Sequence, residues 1–569
     1  MRKRTLLVAL CFTLLTSISQ AQSSDFNELV DEYFDFQFQF HPTAGTAAGF
    51  HQYDTKLEDY SRASREAETA GLKKLLAKFA AVDKSQLSEV SQGDLEVLES
   101  DANARLLELQ DVRMWQKDPD MYSSRPTYAV FIIMKRNFAP QEERLRSVIA
   151  REKQIPRGLE TARENLRNPP RIYTEVALEQ LPGVEGFFHN DVPAAFHEVK
   201  DEKLLAEFKA SNDAVIDALQ KYETFLKKDL LPASKGDFRI GAENYRKKLL
   251  YEEMVDIPLD RLLQIGYADL HHNQQHLKEV AAQIDPKHTP REVLAQLEKD
   301  HPPADQLLQT FRDTLGGLRD YIIAKKIITI PSPVLPIVEE TPPFDRALTT
   351  ASMDTPGAYE KVATEAMFNV TTAEPDWSAK RTEEWMEGFN RGTIISTAVH
   401  EVYPGHYTQF LWVQAAPSKT RKLLYCGTNS EGWAHYSEQM MLDQGYGNGD
   451  LKLRMGQLQD ALLRDARFIV GIEMHTGKMT LDRARQFFID EGYQTPPVAD
   501  EESKRGTSDP TYLVYTLGKL QIVKLREDYH KKLGDKFTLQ DFHDKFMEQG
   551  AIPLKIIRKA MLGDDSPTL

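Results

Sequence analysis

Residues 259–284 read LDRLLQIGYADLHHNQQHLKEVAAQI, and their apolar residues recur every three or four positions. This spacing places the apolar side chains on one face of an α-helix, so it predicts an amphipathic helix over the whole segment. The same mixture of alanine, leucine and charged residues recurs at helical spacing in segments 63–81, 141–167, 202–228 and 304–323. Because strand-like stretches are few, the sequence predicts a mainly α protein, with a large body of many helices around a cleft.

Two short apolar stretches depart from this helical pattern. KIITI at residues 326–330 and AMFNV at residues 366–370 are strand-like and predict a short β element. The intervening segment 331–343 is rich in proline, which continues neither a helix nor a central strand. It divides a helical N-terminal region, residues 22–330, from a second helical region, residues 331–569, although such a connection also occurs within one continuous domain.

The charge balance limits the classes of partner. The chain of 569 residues carries 71 lysine and arginine residues against 86 aspartate and glutamate residues, a net charge of −15. Binding to nucleic acid requires a basic surface, so this balance argues against a nucleic-acid partner. Hydrophobic residues make up 41% of the chain and aromatic residues 9%, which is typical of a folded protein rather than a disordered one.

The first 21 residues have the pattern of a secretory signal peptide. Residues 2–4 are basic, residues 6–15 are mostly apolar, and small residues precede a cleavage point after Ala21. The apolar run is shorter than the ~20 residues that a spanning helix needs, so no membrane span is expected in the mature chain. Lipid attachment at Cys11 is disfavoured because the bulky Leu10 precedes it. The sequence therefore predicts a secreted, periplasmic protein.

Removal of this signal leaves Cys426 as the single cysteine of the mature chain. One thiol cannot form an internal disulfide, so the fold must depend on its core. The surrounding sequence, LLYCG at residues 423–427, is apolar and typical of a buried, unreactive thiol rather than a nucleophile.

Residues 397–409 read TAVHEVYPGHYTQ and nearly match the zinc-peptidase signature His-Glu-x-x-His. His406 follows His400 by six positions instead of four, and on a regular helix it would point about 120° away. Proline removes a backbone hydrogen bond and glycine adopts conformations that are closed to other residues. Pro404 and Gly405 therefore predict a break that returns His406 to the side of His400. A helix running unbroken through Pro404 would rule this site out.

A third metal ligand is expected in NSEGWAHYSE, residues 429–438. Glu431, His435 and Glu438 follow one another at i, i+4 and i+7 and share one face of a predicted helix. We assign Glu431 as the third ligand, and Glu438 or His435 as a residue that holds a ligand imidazole by its other ring nitrogen. A set of His400, His406 and His435 is also chemically possible. The alternative is an ordinary buried His–Glu pair that binds no metal.

Two histidines and one carboxylate leave a position open on a catalytic zinc ion, so one Zn²⁺ is the expected cofactor. Such an ion lowers the pKa of a bound water, and Glu401 is placed to act as the general base and to pass the proton to the leaving amine. The same ligands suit iron or manganese, although the glutamate beside His400 favours hydrolysis over oxygen chemistry.

The motifs HExxPGHxxQ over residues 400–409 and EGWAxYxE over residues 431–438 together resemble the bacterial domain-of-unknown-function 885 family. That family is similar to mainly helical zinc metallopeptidases of the gluzincin type. The resemblance extends to residues 239–245, 464–475 and 512–522, and thus covers most of the mature chain. Two positions depart from it. Tyr407 stands where family members often carry a second histidine, and His435 stands where an apolar residue is common.

The resemblance implies the same three ligands and the same general base as the residues themselves. By gluzincin analogy, His475 and Tyr515 are the residues expected to stabilise the oxyanion, and Arg467 or Arg505 is expected to receive a substrate carboxylate. Gluzincins also align the substrate backbone along an edge strand beside the metal, and residues 366–370 are the candidate here.

The leading hypothesis is a secreted zinc-dependent hydrolase, a metallopeptidase that acts on a peptide or small amide substrate. A zinc amidase or esterase with a non-peptide substrate is the first alternative, and a non-catalytic metal- or peptide-binding protein is the second. Glu401 separates these classes, because a pure binding site needs no general base. The sequence does not determine the residue preference, exo- or endopeptidase action, or the oligomeric state.

Overall fold

The computed structural model describes residues 25–342, 346 and 349–569, and it is mainly α, as predicted. The predicted signal peptide lies outside these residues. Before the proline-rich segment the α-helices are residues 25–40, Pro42–Ala48, Arg62–Ala80, Glu89–Leu107, Met114–Lys117, Met121–Lys135, Gln141–Glu152, Ile155–Asn165, Arg171–Gly186, Val192–Ala195, Glu202–Phe225, Leu231–Ala233, Gly241–Glu252, Leu259–Ile284, Pro290–Leu297 and Leu307–Lys325. The helix from Leu259 to Ile284 has the bounds of the segment in which the apolar periodicity is clearest.

The helices of the second region carry most of the candidate site. They are Ala379–Met386, Arg391–Glu401, His406–Val413, Lys419–Leu423, Gly427–Asp443, Leu451–His475, Leu481–Asp490, Pro496–Ser508, Val514–Leu533, Leu539–Met547 and Leu554–Leu562. Short π-helical turns extend helices at Glu108–Val112, Phe187–Asp191 and Leu226–Leu230. Within the described ranges, no helix is both long and apolar enough to cross a membrane.

A small sheet of three strands lies beside the site helices. The strands are β1 (Ile337–Glu340), β2 (Ala351–Asp354) and β3 (Met367–Val370), and their order in the sheet is β1-β3-β2. β1 runs parallel to β3 and β2 runs antiparallel to it, with Phe368 opposite both Val338 and Met353. β2 packs against the helix Arg391–Glu401, which places the β element next to the candidate site.

Two expectations about strands are wrong. Residues 326–330 form no strand, because Lys326 takes a positive φ of 52° at the end of the preceding helix and Ile327 and Ile328 pack into the core. Residues 367–370 do form a strand, but it is the central one, so both of its edges are already paired. It therefore cannot align a substrate as an edge strand does.

The hydrophobic core joins the two halves of the chain. One cluster packs Phe311 and Leu318 with Trp433 and Ile522, and it includes residues on both sides of the proline-rich segment. A second cluster packs the helix Leu259–Ile284 against the helix Leu451–His475 in the same way. Two further clusters belong to the N-terminal helices between residues 26 and 230. The proline-rich segment thus crosses the surface of shared cores.

Candidate metal centre

The structure brings the three predicted metal ligands together. His400 lies in the last turn of the helix Arg391–Glu401, His406 begins the next helix, and Glu431 lies in the first turns of the helix Gly427–Asp443. One ligand atom from each residue lies within 4.8 Å of the other two. Glu431 Oε2 is 3.4 Å from Nε2 of both histidines, and the two imidazole rings are nearly perpendicular, 4.8 Å apart.

The break between the two histidines is present where the sequence predicts it. The first helix ends at Glu401, and the next begins at His406 after a turn through Pro404 and Gly405. The turn is so tight that a Cβ atom on Gly405 would lie 1.7 Å from the carbonyl oxygen of His400. Only glycine can occupy this position without displacing the ligand helix. The Pro-Gly pair thus compensates for the six-residue spacing.

Two hydrogen bonds tie the His406 turn to the helix that carries Glu431. The indole nitrogen of Trp433 donates to the carbonyl oxygen of Pro404 at 2.8 Å, and the amide of Gln409 donates to Asn429 Oδ1 at 2.9 Å. Trp433 is fully buried. The sequence motifs contain Gln409 and Trp433, but spacing alone does not reveal that they fix the relative position of two ligands.

Glu438 orients the imidazole of His400 through the ring nitrogen that faces away from the ligand cluster. Its Oε1 accepts a hydrogen bond of 2.7 Å from His400 Nδ1, so the Nε2 atom of His400 faces the ligand cluster. Its Oε2 accepts a hydrogen bond of 3.0 Å from His435 Nδ1, and Arg464 Nη2 lies 3.1 Å from Oε1. Glu438 thus has the holding role predicted for Glu438 or His435. The fully buried His435 contacts Glu438 and is not part of the ligand cluster.

The charges of the site reinforce this arrangement. Burial acts to lower the pKa of His400, but the adjacent carboxylates of Glu431 and Glu438 outweigh burial and raise this pKa to about 10. Burial acts to raise the pKa of Glu431, but the neighbouring His406 and His400 hold it well below its usual range. In the metal-free protein this raised pKa keeps His400 protonated at neutral pH, and its positive charge faces the two carboxylates. A divalent cation would take its place.

The donor set fits a zinc ion. Glu431 Oε2 is buried and has no hydrogen-bond partner among the described residues, although it lies 3.4 Å from two ring nitrogens. Two ligand atoms at about 2.0–2.1 Å from a tetrahedral zinc ion lie about 3.3–3.4 Å apart. A buried oxygen left without a hydrogen bond is costly unless another partner satisfies it. The residues therefore suit a cation that binds all three.

Glu401 is available for proton transfer. It directly follows His400 at the end of the ligand helix and is half-buried. In the described part of the chain, its carboxylate forms no hydrogen bond or ion pair. A free carboxylate next in sequence to His400 is chemically able to accept a proton from water, so the role of general base stays a prediction.

Of the two residues that the resemblance implies for the oxyanion, Tyr515 lies at the site. Its ring stacks on His400 with a centroid distance of 6.4 Å, and its hydroxyl is 3.3 Å from Arg505 Nη2. Burial and the charge of Glu431 raise the pKa of Tyr515, so the hydroxyl keeps its proton and can donate a hydrogen bond.

His475 does not share this position, and the expectation for it is not supported. It is fully buried, its Nε2 is 2.8 Å from the carbonyl oxygen of Gly506, and the backbone N–H of Ile240 donates to its Nδ1 at 3.4 Å. On the helix Leu451–His475 it lies eleven residues beyond Arg464, about 16 Å along the axis. Burial also lowers its pKa to about 4. His475 is thus a neutral residue that links backbone segments.

Glu253 anchors the helix that carries Glu431, a role that no sequence motif indicates. Its carboxylate accepts hydrogen bonds from the backbone N–H groups of Gly427 at 3.1 Å and Thr428 at 2.7 Å, and from the Thr428 hydroxyl. A carboxylate at a helix N-terminus also interacts favourably with the helix dipole. Cys426 Sγ lies 2.9 Å from the same carboxylate, and burial raises the pKa of this thiol. Cys426 is a buried thiol, as its sequence context indicates.

A cleft of about 440 Å³ leads to this site. Glu431, Tyr515 and Arg505 are among the residues that line it. Tyr425, with 79% of its surface exposed, also lines it. A cleft of this size lies in the range of small-molecule binding sites.

The fold and site define a mainly α protein with a His₂Glu cluster beside a cleft. The chain belongs to the family described as "Bacterial protein of unknown function (DUF885)", whose model matches residues 42–561. No curated protein matches the chain.

Two solved structures share the fold along nearly the whole chain. One is a putative lipoprotein of unknown function from Shewanella oneidensis, with 27% identity, a TM-score of 0.80, and coverage of 94% of this chain and 99% of that one. The other is a putative lipoprotein from Colwellia psychrerythraea, with 18% identity, a TM-score of 0.81, and coverage of 95% and 99%.

Proposed function

We propose that this protein is an extracytoplasmic metallopeptidase that uses one Zn²⁺ bound by His400, His406 and Glu431. The observation that carries the proposal is the buried Glu431 oxygen, which lies 3.4 Å from both imidazole nitrogens and has no hydrogen bond among the described residues. Three converging donors and a carboxylate on the residue that directly follows His400 are the arrangement that hydrolysis requires.

The residues of the chain have distinct roles in this proposal. Zinc bound there would lower the pKa of a water molecule and polarise the carbonyl group of the substrate. Glu401 accepts a proton from that water on its carboxylate and delivers it to the leaving nitrogen. The Tyr515 hydroxyl donates a hydrogen bond to the carbonyl oxygen as negative charge develops on it. One water is consumed, the C–N bond breaks, and a carboxylate and an amine are released.

The location outside the cytoplasm is part of the proposal. Both structural neighbours are described as putative lipoproteins. The basic and apolar pattern of residues 1–21 supports export of this chain too. Mass spectrometry of the protein from a bacterial host would test the predicted processing: a mature chain that begins at Gln22 is expected, and a chain that retains Met1 would contradict it.

Metal analysis of the purified protein is the first experiment. Near-stoichiometric zinc is expected in the parent protein and in Glu384→Gln, a control at an exposed glutamate that forms only a loose surface ion pair. His400→Ala should contain little zinc. Absence of zinc from the parent protein after loading and removal of excess metal would contradict the proposal.

Activity is tested with Glu401→Gln, which keeps all three ligands. The variant should bind zinc as the parent does, whereas its chelator-sensitive hydrolysis of a peptide library should fall about 10²–10⁴-fold. Hydrolysis of an ester and amide panel in place of peptides would favour the alternative substrate class. Equal activity of variant and parent would contradict the role of Glu401.

A further inference from the structure

Two basic side chains, Lys248 and Arg505, line the described part of the cleft that leads to Glu431. Lys248 is engaged by Glu252, with Nζ 2.5 Å from Oε1 in a mostly buried pair. Arg467, the other arginine expected to receive a carboxylate, uses Nε and Nη2 to bind both oxygens of Glu502 at 2.7 and 2.6 Å. Neither Lys248 nor Arg467 therefore has its charge available to a substrate.

Arg505 differs from both because its ion pair leaves part of the guanidinium free. Nε and Nη2 both contact a single oxygen of Asp509, at 3.3 and 3.1 Å, and both side chains of the pair are about 40% exposed. Among the described residues, no acceptor forms a hydrogen bond with Nη1. Exposed ion pairs of this kind contribute little stability, so a substrate carboxylate can compete for the guanidinium or share it.

The position of Arg505 fixes where such a carboxylate would lie. Its Nη2 is 3.3 Å from the Tyr515 hydroxyl, and the Tyr515 ring stacks on the ligand His400. In a peptide, consecutive residues are separated by about 3.8 Å. A carboxylate on Arg505 would therefore belong to the residue that follows the bond at the metal centre, or to the one after it.

We propose that Arg505 binds the C-terminal carboxylate of the substrate, and that the enzyme is an exopeptidase that releases one or two residues from the C-termini of peptides. This inference rests on the proposed metallopeptidase function. It defines the substrate class as peptides with a free C-terminus. Tyr515 then lies between the carboxylate-binding group and the metal ligands, next to the carbonyl group that is cleaved.

A binding experiment tests the carboxylate site without requiring turnover. The probe is a fluorescently labelled, randomised tetrapeptide pool, prepared once with free C-termini and once with C-terminal amides. It is added to zinc-loaded Glu401→Gln protein, and affinity is measured by fluorescence anisotropy. The free acids should bind at least about 10-fold more tightly, because only a free carboxylate can form a charged, two-pronged pair with the guanidinium of Arg505.

Variants at Arg505 show whether this residue causes the preference for free acids over amides. In the Glu401→Gln background, Arg505→Gln should reduce the affinity for the acids to that for the amides, and Arg505→Lys should retain part of the preference. Arg62→Gln, a control at a fully solvated arginine, should leave the preference unchanged. Equal affinity for acids and amides, binding of neither pool, or a preference that survives Arg505→Gln would overturn the inference.

Cleavage by the zinc-loaded parent protein separates this inference from the proposed function. Mass spectrometry should show release of one or two C-terminal residues from the acids, with the amides cleaved at least about 10-fold more slowly. Cleavage of both pools at internal positions would overturn the exopeptidase inference and leave the metallopeptidase proposal standing. Acid-selective binding that depends on Arg505 without any cleavage would support the carboxylate site and contradict the metallopeptidase proposal.

Discussion

Glu431 and Glu438 lie on the same helix, seven residues apart, and both contact His400. Glu438 is fully buried, and both of its oxygens are engaged by His400, His435 and Arg464. Glu431 has a buried oxygen with no hydrogen bond among the described residues. In the region around Glu438 both carboxylate oxygens are thus paired and support the structure, whereas in the region around Glu431 a buried carboxylate oxygen is unpaired and suited to an added cation.

Removal of the Glu438 charge should have the largest effect on stability. Glu438→Gln removes the closer carboxylate of the buried Arg464 and leaves only its contact with Asp460, where Nη1 lies 3.6 Å from Oδ1. We therefore expect the free energy of unfolding of the metal-free protein to fall by about 3–5 kcal/mol. Urea denaturation gives this value. Glu431→Gln is the matched variant on the same helix, and it should cost less than half as much. Equal costs for the two variants would remove the distinction between the two regions.

The pH dependence of stability follows from His400, which contacts both carboxylates. In the folded protein the pKa of His400 is raised to about 10. The stabilisation that protonated His400 provides is therefore fully present below pH 6.5, the pKa of histidine in the unfolded chain. It is lost as the pH rises through 10. We expect the metal-free protein to lose about 2–4 kcal/mol over this window. His400→Ala should show a flatter profile in urea denaturation. A parent profile without this decline would contradict the assigned pKa.

Zinc binding should depend more on Glu431 than on Glu438, whereas stability without metal depends more on Glu438. At a zinc concentration of 100 times Kd, the parent should gain about 2.7 kcal/mol of stability, and Glu431→Gln should lose most of this gain. Glu438→Gln keeps the three ligands and should lose about 10–100-fold in zinc affinity. Competition with a fluorescent zinc chelator measures these affinities. A larger loss from Glu438→Gln than from Glu431→Gln would show that the ligand assignment is wrong.

The smallest expected effect comes from removing the hydrogen bond between Trp433 and the turn before His406. Trp433→Phe removes the donor to the Pro404 carbonyl and should reduce zinc affinity about 10-fold, at a cost of about 1–2 kcal/mol in stability. Trp377→Phe is the control, since the Trp377 indole has no hydrogen bond to any described residue. Unchanged zinc affinity in Trp433→Phe would show that the turn holds His406 without this bond.

The sequence by itself determined the long helices and the proximity of His400 and His406. Apolar residues at helical spacing fixed segments such as residues 259–284, because burial of one face is a local property of the pattern. The Pro404–Gly405 pair predicted the helix break for an equally local reason. His400 and His406 are only six residues apart in the sequence, so their proximity depends on backbone conformation over a few residues.

Only the tertiary structure decided which distant residues complete the site. Arg464, Glu253 and Arg505 reach the site helices from segments far along the chain, and no spacing rule connects them. His475 fits the resemblance but is held by the backbone about three turns beyond Arg464. Strand position is decided in the same way, since a short apolar stretch such as residues 366–370 reads alike at the centre and at the edge of a sheet. Local pattern fixes backbone conformation, whereas the packing of separate elements fixes which side chains meet.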